Sequence, residues 1–275
     1  MDGNDYKTCV LRLLGEKKSQ TDQLGHELRI SLLSAALNSY RCDSILKPFP
    51  NQYVTEEEKM FDFVKRDLNS IPALSELNED YQMSDNCWQL LHWAITLGSF
   101  QLILRPISSQ QITNILNENQ SSMKNFKPTL IFEVVSQPKR SFMEAKERFG
   151  TFWAFHGSAV ENFHSILHNG LVNCLNKRAL YGSGTYVSSQ LSVAIEFSPF
   201  GFGWNKSLLG KEISCVAVCQ VLWSSLMSSI IGAQQLAAPA ITIQYMPVLC
   251  LPSPCPLTTH FPPLLSTSLC FSFLL

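Results

Sequence analysis

Charge is missing from the end of this chain. All 21 Lys and Arg and all 22 Asp and Glu lie between Asp2 and Glu212, and none follows up to Leu275. Paired cysteines are missing too: nine Cys are scattered without a CxxC, and the nearest, Cys215 and Cys219, share a strand-like run. That pattern fits a reducing compartment better than a disulfide framework. Residues 1–19 mix charges and hold no apolar stretch long enough for a secretory signal. The formal net charge is -1, and no basic patch marks a nucleic-acid surface, so no nucleic-acid partner is expected.

The common nucleotide signatures are absent as well. Gly182-Ser183-Gly184 and Gly201-Phe202-Gly203 never reach a third glycine at the required spacing, and Gly210-Lys211 lacks the hydroxyl of a phosphate loop. There is no HExxH. His164 and His168 stand four apart, but no third ligand has a recognisable spacing, so the pair reads as a partly exposed helix face and no metal site is predicted.

What is present falls into three parts. The first, residues 1–98, is helical. Leu24, Leu28, Leu32, Ala36 and Tyr40 recur every fourth position as one apolar stripe. Prolines 48 and 50 stop that pattern. Thr55 and Glu58 have capping-box spacing ahead of Met60, Phe61, Val64 and Leu68. A further helix runs from about Ser84 and stops at Gly98.

In the second part, residues 99–221, short strands alternate irregularly with short helices. Strands are expected at 100–104, 129–135, 151–156, 185–188 and 213–222, and helices at 110–119, 160–168 and 191–197. That mixture predicts an α+β fold. The third part, residues 222–275, is uncharged and rich in Pro, Ser and Leu, with half of the 14 prolines lying beyond Ala238.

Two motifs in the second part carry chemistry. One is Phe152-Trp153-Ala154-Phe155-His156-Gly157-Ser158, followed by Asn162-Phe163 and Asn169-Gly170-Leu171. The other is Tyr181-Gly182-Ser183-Gly184-Thr185-Tyr186-Val187, with Ser192, Ala194 and Phe197 beyond. In this order they resemble the NAD⁺ site of the poly(ADP-ribose) polymerase family. The likeness reaches back into the helical region through Leu33-Ser34-Ala35-Ala36-Leu37 and Leu46-Lys47-Pro48-Phe49-Pro50. There it is similar to the tail-anchored mono-ADP-ribosyltransferase branch of the family, at the endoplasmic reticulum.

The resemblance implies an enzyme that moves ADP-ribose from NAD⁺, as substrate, to protein acceptors, itself included, and releases nicotinamide. It implies a helical accessory domain at 1–98 and a truncated catalytic domain at 99–221. His156 and Tyr186 are implied as catalytic residues. Donor binding is implied for His156, Gly157, Ser158, Tyr181, Tyr186 and Phe197, and no metal is implied. His156 would bond the adenosine ribose, and Gly157 would offer its backbone to the carboxamide. Tyr186 and Phe197 would stack on the nicotinamide ring. Ala194 stands where many members place a serine that holds the carboxamide.

The third catalytic position departs from the family. It is a glutamate in polymerising members and a tyrosine in the tail-anchored branch, but the family pattern stops near Val221, and Tyr245 has no matching neighbours. Transfer of a single unit is therefore expected. The alternative is a catalytically impaired NAD-binding or scaffold isoform. By resemblance the chain works on the cytosolic face of the endoplasmic-reticulum membrane. The anchor of that branch is not found, which leaves the cytosol as the other location. The tail could be an improvised membrane segment, a folded replacement for the missing strands or an unstructured splicing product; its composition favours the last. The sheet is accordingly expected to remain incomplete after Leu222.

Overall fold

The computed structural model describes residues 3–15, 20–56, 58–98, 100–105, 130–136, 140–171, 185–222, 236–238 and 246–252. The chain divides into two units. The first unites residues 1–98 with two later excursions, Val160–His168 and Gly201–Ile213. The second holds the remainder.

The first unit is built on α1 (Gly3–Gly15), α2 (Gln20–Asn38), α3 (Cys42–Ile45), α4 (Phe61–Ser70) and α5 (Asp85–Thr96). Ser84 caps α5 by accepting the Cys87 N–H, and Gly98 follows it at φ 84, a left-handed position natural for glycine. The Thr55 hydroxyl does accept the Glu58 N–H at 3.1 Å. It closes a turn under the Val54–Lys59 bridge, however, and α4 starts later, at Phe61. The expected capping box is thus a turn, because Thr55 and Glu58 bond each other across a reversal of the chain.

The single stripe expected on α2 also needs correction. Every residue from Glu27 to Leu37 is buried, and Tyr40 lies past the helix end at 93% exposure. One side, with Ile30, Leu33 and Leu37, enters a core with Val10, Val64, Leu68, Trp88, Leu90 and Leu91. The other side is covered by the excursions: Ser34 donates to the Gly203 carbonyl at 3.2 Å, and Glu27 accepts the Leu208 N–H at 2.9 Å. A helix covered on both sides needs apolar or satisfied groups all round. Trp204, 1% exposed, drives its ring into the helical core. Lys206 donates to the carbonyls of Asn69 and Ile71.

The excursion Val160–His168 leads into α7 (Phe163–Asn169). Of the pair expected on a partly exposed face of α7, His164 is buried at 4% exposure, whereas His168 is partly exposed. The Nε2 of His164 bonds the Pro48 carbonyl at 3.0 Å, and burial pushes the His164 pKa down to about 4. Glu161 takes bonds from Ser39 and Arg41 at 2.8 and 2.9 Å.

The second unit carries β1 (Phe100–Arg105), β2 (Leu130–Ser136), α6 (Arg140–Phe149), β3 (Thr151–Gly157), β4 (Thr185–Val187) and α8 (Leu191–Glu196). Beyond β5 (Gly201–Phe202), β6 (Glu212–Leu222) runs through the middle, and β7 (Leu236–Ala238) and β8 (Met246–Pro252) follow. A six-stranded sheet has the order β1-β2-β8-β6-β3, with β5 beside the start of β6, and β4 pairs with β7 in a second sheet. The expected helix at 110–119 falls outside the described residues.

The tail was expected to be unstructured and to leave β6 as an edge. Instead β8 lies between β2 and β6, antiparallel to β2 with Pro247 opposite Glu133 and Leu249 opposite Ile131. The prolines stand near the two ends of this strand, at its second and last positions, which leaves Val248 to Leu251 between them free of proline. β8 therefore has a hydrogen-bonded strand on each edge.

Candidate functional site

β3 forms because Phe152, Trp153 and Phe155 favour an extended, half-buried backbone. It pairs antiparallel with β6, placing His156 opposite Ala217 and Gly157 opposite Val216. On its other edge Phe155 and Ser188 exchange both backbone hydrogen bonds, at 2.6 and 2.7 Å. That bridge brings β4 alongside. Thr185 and Val187 point into the core, so the period-two alternation turns half-buried Tyr186 to the opposite face. Ala237 of β7 lies across from Tyr186.

His156 then reaches the Tyr186 backbone carbonyl with Nδ1, at 2.8 Å. A carbonyl only accepts, so Nδ1 carries the proton and Nε2 remains the ring's acceptor. Burial pushes the His156 pKa down to about 4, with the Tyr186 carbonyl opposing that shift. The imidazole is neutral at pH 7.

Gly157 has a packing reason to be glycine. A Cβ built there would lie 1.7 Å from the Ala194 carbonyl oxygen and 2.8 Å from Ser198 Oγ. The close approach that the resemblance assigned to the carboxamide is also made by the last turn of α8. The Ala194 carbonyl accepts the Phe197 N–H at 3.1 Å and Ser198 Oγ at 3.2 Å. Ser214 of β6 donates to the Ser198 carbonyl at 2.6 Å. Phe197 caps this turn and is 55% exposed.

Of the residues predicted from sequence, the fold joins His156, Gly157 and Tyr186 directly, through one hydrogen bond and adjacent strands. Phe197 is held beside Gly157 by α8, and Ser158 follows β3 partly buried. Tyr181 lies outside the described residues, as does Tyr245. Among the described residues no group of three or more His, Cys, Asp or Glu is placed to hold a metal. The buried hydroxyls of Ser198 and Ser214 were missed. Their signal was present: Ser214 is a lone hydroxyl in an otherwise apolar run, Ile213-Ser214-Cys215-Val216-Ala217-Val218.

Residues 17–95 match the ARTD15 N-terminal domain, and residues 108–238 match the Poly(ADP-ribose) polymerase catalytic domain. The second match runs beyond Val221, where the family pattern had been expected to stop. The chain is similar to Protein mono-ADP-ribosyltransferase PARP16 of Mus musculus, 38% identical over 215 residues, covering 77% of this chain and 66% of that protein. Against the Homo sapiens protein of the same name it is 40% identical over 207 residues, covering 73% of this chain and 63% of that one. Protein mono-ADP-ribosyltransferase PARP8 of Homo sapiens is 27% identical over 284 residues, covering 80% of this chain and 31% of that protein. The match therefore spans slightly less than two thirds of the PARP16 relatives. With its helical region and its sheet matched to these two domains in turn, the chain belongs to the poly(ADP-ribose) polymerase family.

Proposed function

We propose that this chain transfers a single ADP-ribose unit from NAD⁺ to a protein side chain and releases nicotinamide. The observation that carries the reading is the bond from His156 to the Tyr186 carbonyl. It joins the two motif residues on neighbouring strands and fixes the tautomer of a neutral histidine. His156 Nε2 is then an acceptor suited to a ribose hydroxyl. Tyr186 supplies a ring face for nicotinamide, and Phe197 supplies a second one at the end of α8. Tyr181 and Ser158 complete the proposed donor site.

Breaking the nicotinamide–ribose bond passes through an oxocarbenium-like centre, as in other glycosyl transfers. Held at both ends, the donor would present its anomeric carbon to the acceptor. Transfer of one unit follows from the residues available. No carboxylate follows Glu212, so β7 and β8 supply no glutamate of the kind used for chain elongation. Acceptors are proteins, this chain among them, and the proposed location is the cytosolic face of the endoplasmic-reticulum membrane. Among the described residues no helix is long and apolar enough to cross a membrane.

A second reading, an NAD-binding scaffold without turnover, draws on β8, whose sequence Met-Pro-Val-Leu-Cys-Leu-Pro holds neither glutamate nor tyrosine. Labelled NAD⁺ separates the two. Transfer of label to protein with nicotinamide release, reduced about tenfold or more in His156→Ala by loss of a donor hydrogen bond, supports the transferase. NAD⁺ binding without release supports the scaffold, and absence of binding removes both.

A further inference from the structure

We infer that Ser214 and Ser198 are positioning residues for the nicotinamide end of the donor site. The inference rests on the transferase reading above. Neither hydroxyl touches the proposed donor directly: Ser198 is 4% exposed and Ser214 is 1% exposed. They act through the end of α8. Ser214, on β6, donates to the Ser198 carbonyl at 2.6 Å; Ser198 Oγ donates to the Ala194 carbonyl at 3.2 Å; and that carbonyl faces Gly157 on β3. The series ties a six-residue helix to two paired strands at the point where Phe197 leaves it.

Three features make this more than ordinary packing. β6 is apolar from Ile213 to Cys219 except at Ser214, so a hydroxyl there needs a partner, and its partner is the residue after Phe197. The helix itself is too short to hold its last turn by its own hydrogen bonds. The side chain at 194 is a methyl, so the grip that a hydroxyl would give from that position passes instead to the backbone and to Ser198. Fixing the end of α8 against Gly157 sets where Phe197, proposed above as one of the two faces for the ring, stands on its helix end. The ribose and adenine end, held by His156, is independent of it.

The test uses the full chain with two probes, nicotinamide and ADP-ribose, measured by calorimetry beside thermal unfolding. Ser214→Ala is expected to weaken nicotinamide by about tenfold, the scale of one lost hydrogen bond acting through geometry, and to leave ADP-ribose binding unchanged. Ser214→Thr keeps the hydroxyl and is expected to restore nicotinamide binding. Ser198→Ala serves as the independent second variant, with the same expected split. Equal weakening of both probes, or a lowered melting temperature with neither probe affected, overturns the positioning role while the transferase reading stands. A wild-type chain that binds neither probe overturns the transferase reading and this inference with it.

Discussion

Replacing Gly157 by alanine isolates one contact whose cost can be worked from the structure. Gly157 is not among the glycines at positive φ, so alanine can adopt its backbone conformation and any penalty is steric. The new Cβ would sit 1.7 Å from the Ala194 oxygen and 2.7 Å from its carbonyl carbon. Both are backbone atoms, so no rotamer change relieves the overlap. The carbonyl is also held by the Phe197 N–H and by Ser198, so β3 and α8 must part. Overpacking of this kind costs about 1–3 kcal/mol, and a backbone obstacle places the cost near the upper figure. For a chain of this size that lowers Tm by roughly 6–12 °C. Differential scanning fluorimetry reads the shift directly. Gly210→Ala is the comparison: Gly210 is at φ 92 with nothing within 4 Å of a built Cβ, so its penalty is conformational, about 1–2 kcal/mol. A Gly157→Ala chain melting within about a degree of the parent would show that α8 does not press on β3 as described.

The remaining expectations concern the first unit and acid. Trp204→Ala removes a fully buried ring from the helical core and should cost about 3–5 kcal/mol, read as a lower denaturant midpoint with the slope preserved. Four histidines have folded pKa values pushed down by burial: His156 and His164 to about 4, His168 to about 3, and His92 in the same direction. The unfolded chain binds their protons first, so their stabilisation is complete above about pH 6.5 and is lost as pH falls toward 4. Buried Glu27, its pKa raised by burial, acts in the opposite sense. Urea midpoints measured at pH 7, 5.5 and 4.5 should fall in that order; a flat series refutes the neutral burial of these rings.

Most of the fold could be read from sequence where pattern and punctuation agree. β3, β4, β6 and α5 lie within a residue or two of expectation because aromatic runs, a Ser cap and a glycine stop each have a local cause. The meeting of His156 with the Tyr186 strand was legible for the same reason: both residues sit in motifs whose order is itself informative. What stayed hidden depends on distant partners. The burial of α2 on both sides is decided by residues more than a hundred positions away, so its stripe was misread. Pro247 and Pro252 argue against a strand until β8 is seen to begin one residue before the first and to end on the second. Ser198 and Ser214 acquire meaning only when β6 lies beside α8, and α6, with its polar outer face, offers too weak an apolar pattern to announce itself.

The discontinuity of the helical unit has a consequence for how the protein is made. α2 is finished early, but one of its sides is covered by Val160–His168 and Gly201–Ile213, and the pocket for Trp204 stays empty until that residue arrives. At ribosomal speeds of about 5–20 residues per second, the interval between Gly98 and Ile213 is on the order of ten seconds. Throughout it the side of α2 that carries Glu27 and Ser34 lacks its cover on a nascent chain. The amino-terminal helices are therefore synthesised first and completed late, and their vulnerable period on the ribosome is set by the length of the sheet region that follows them.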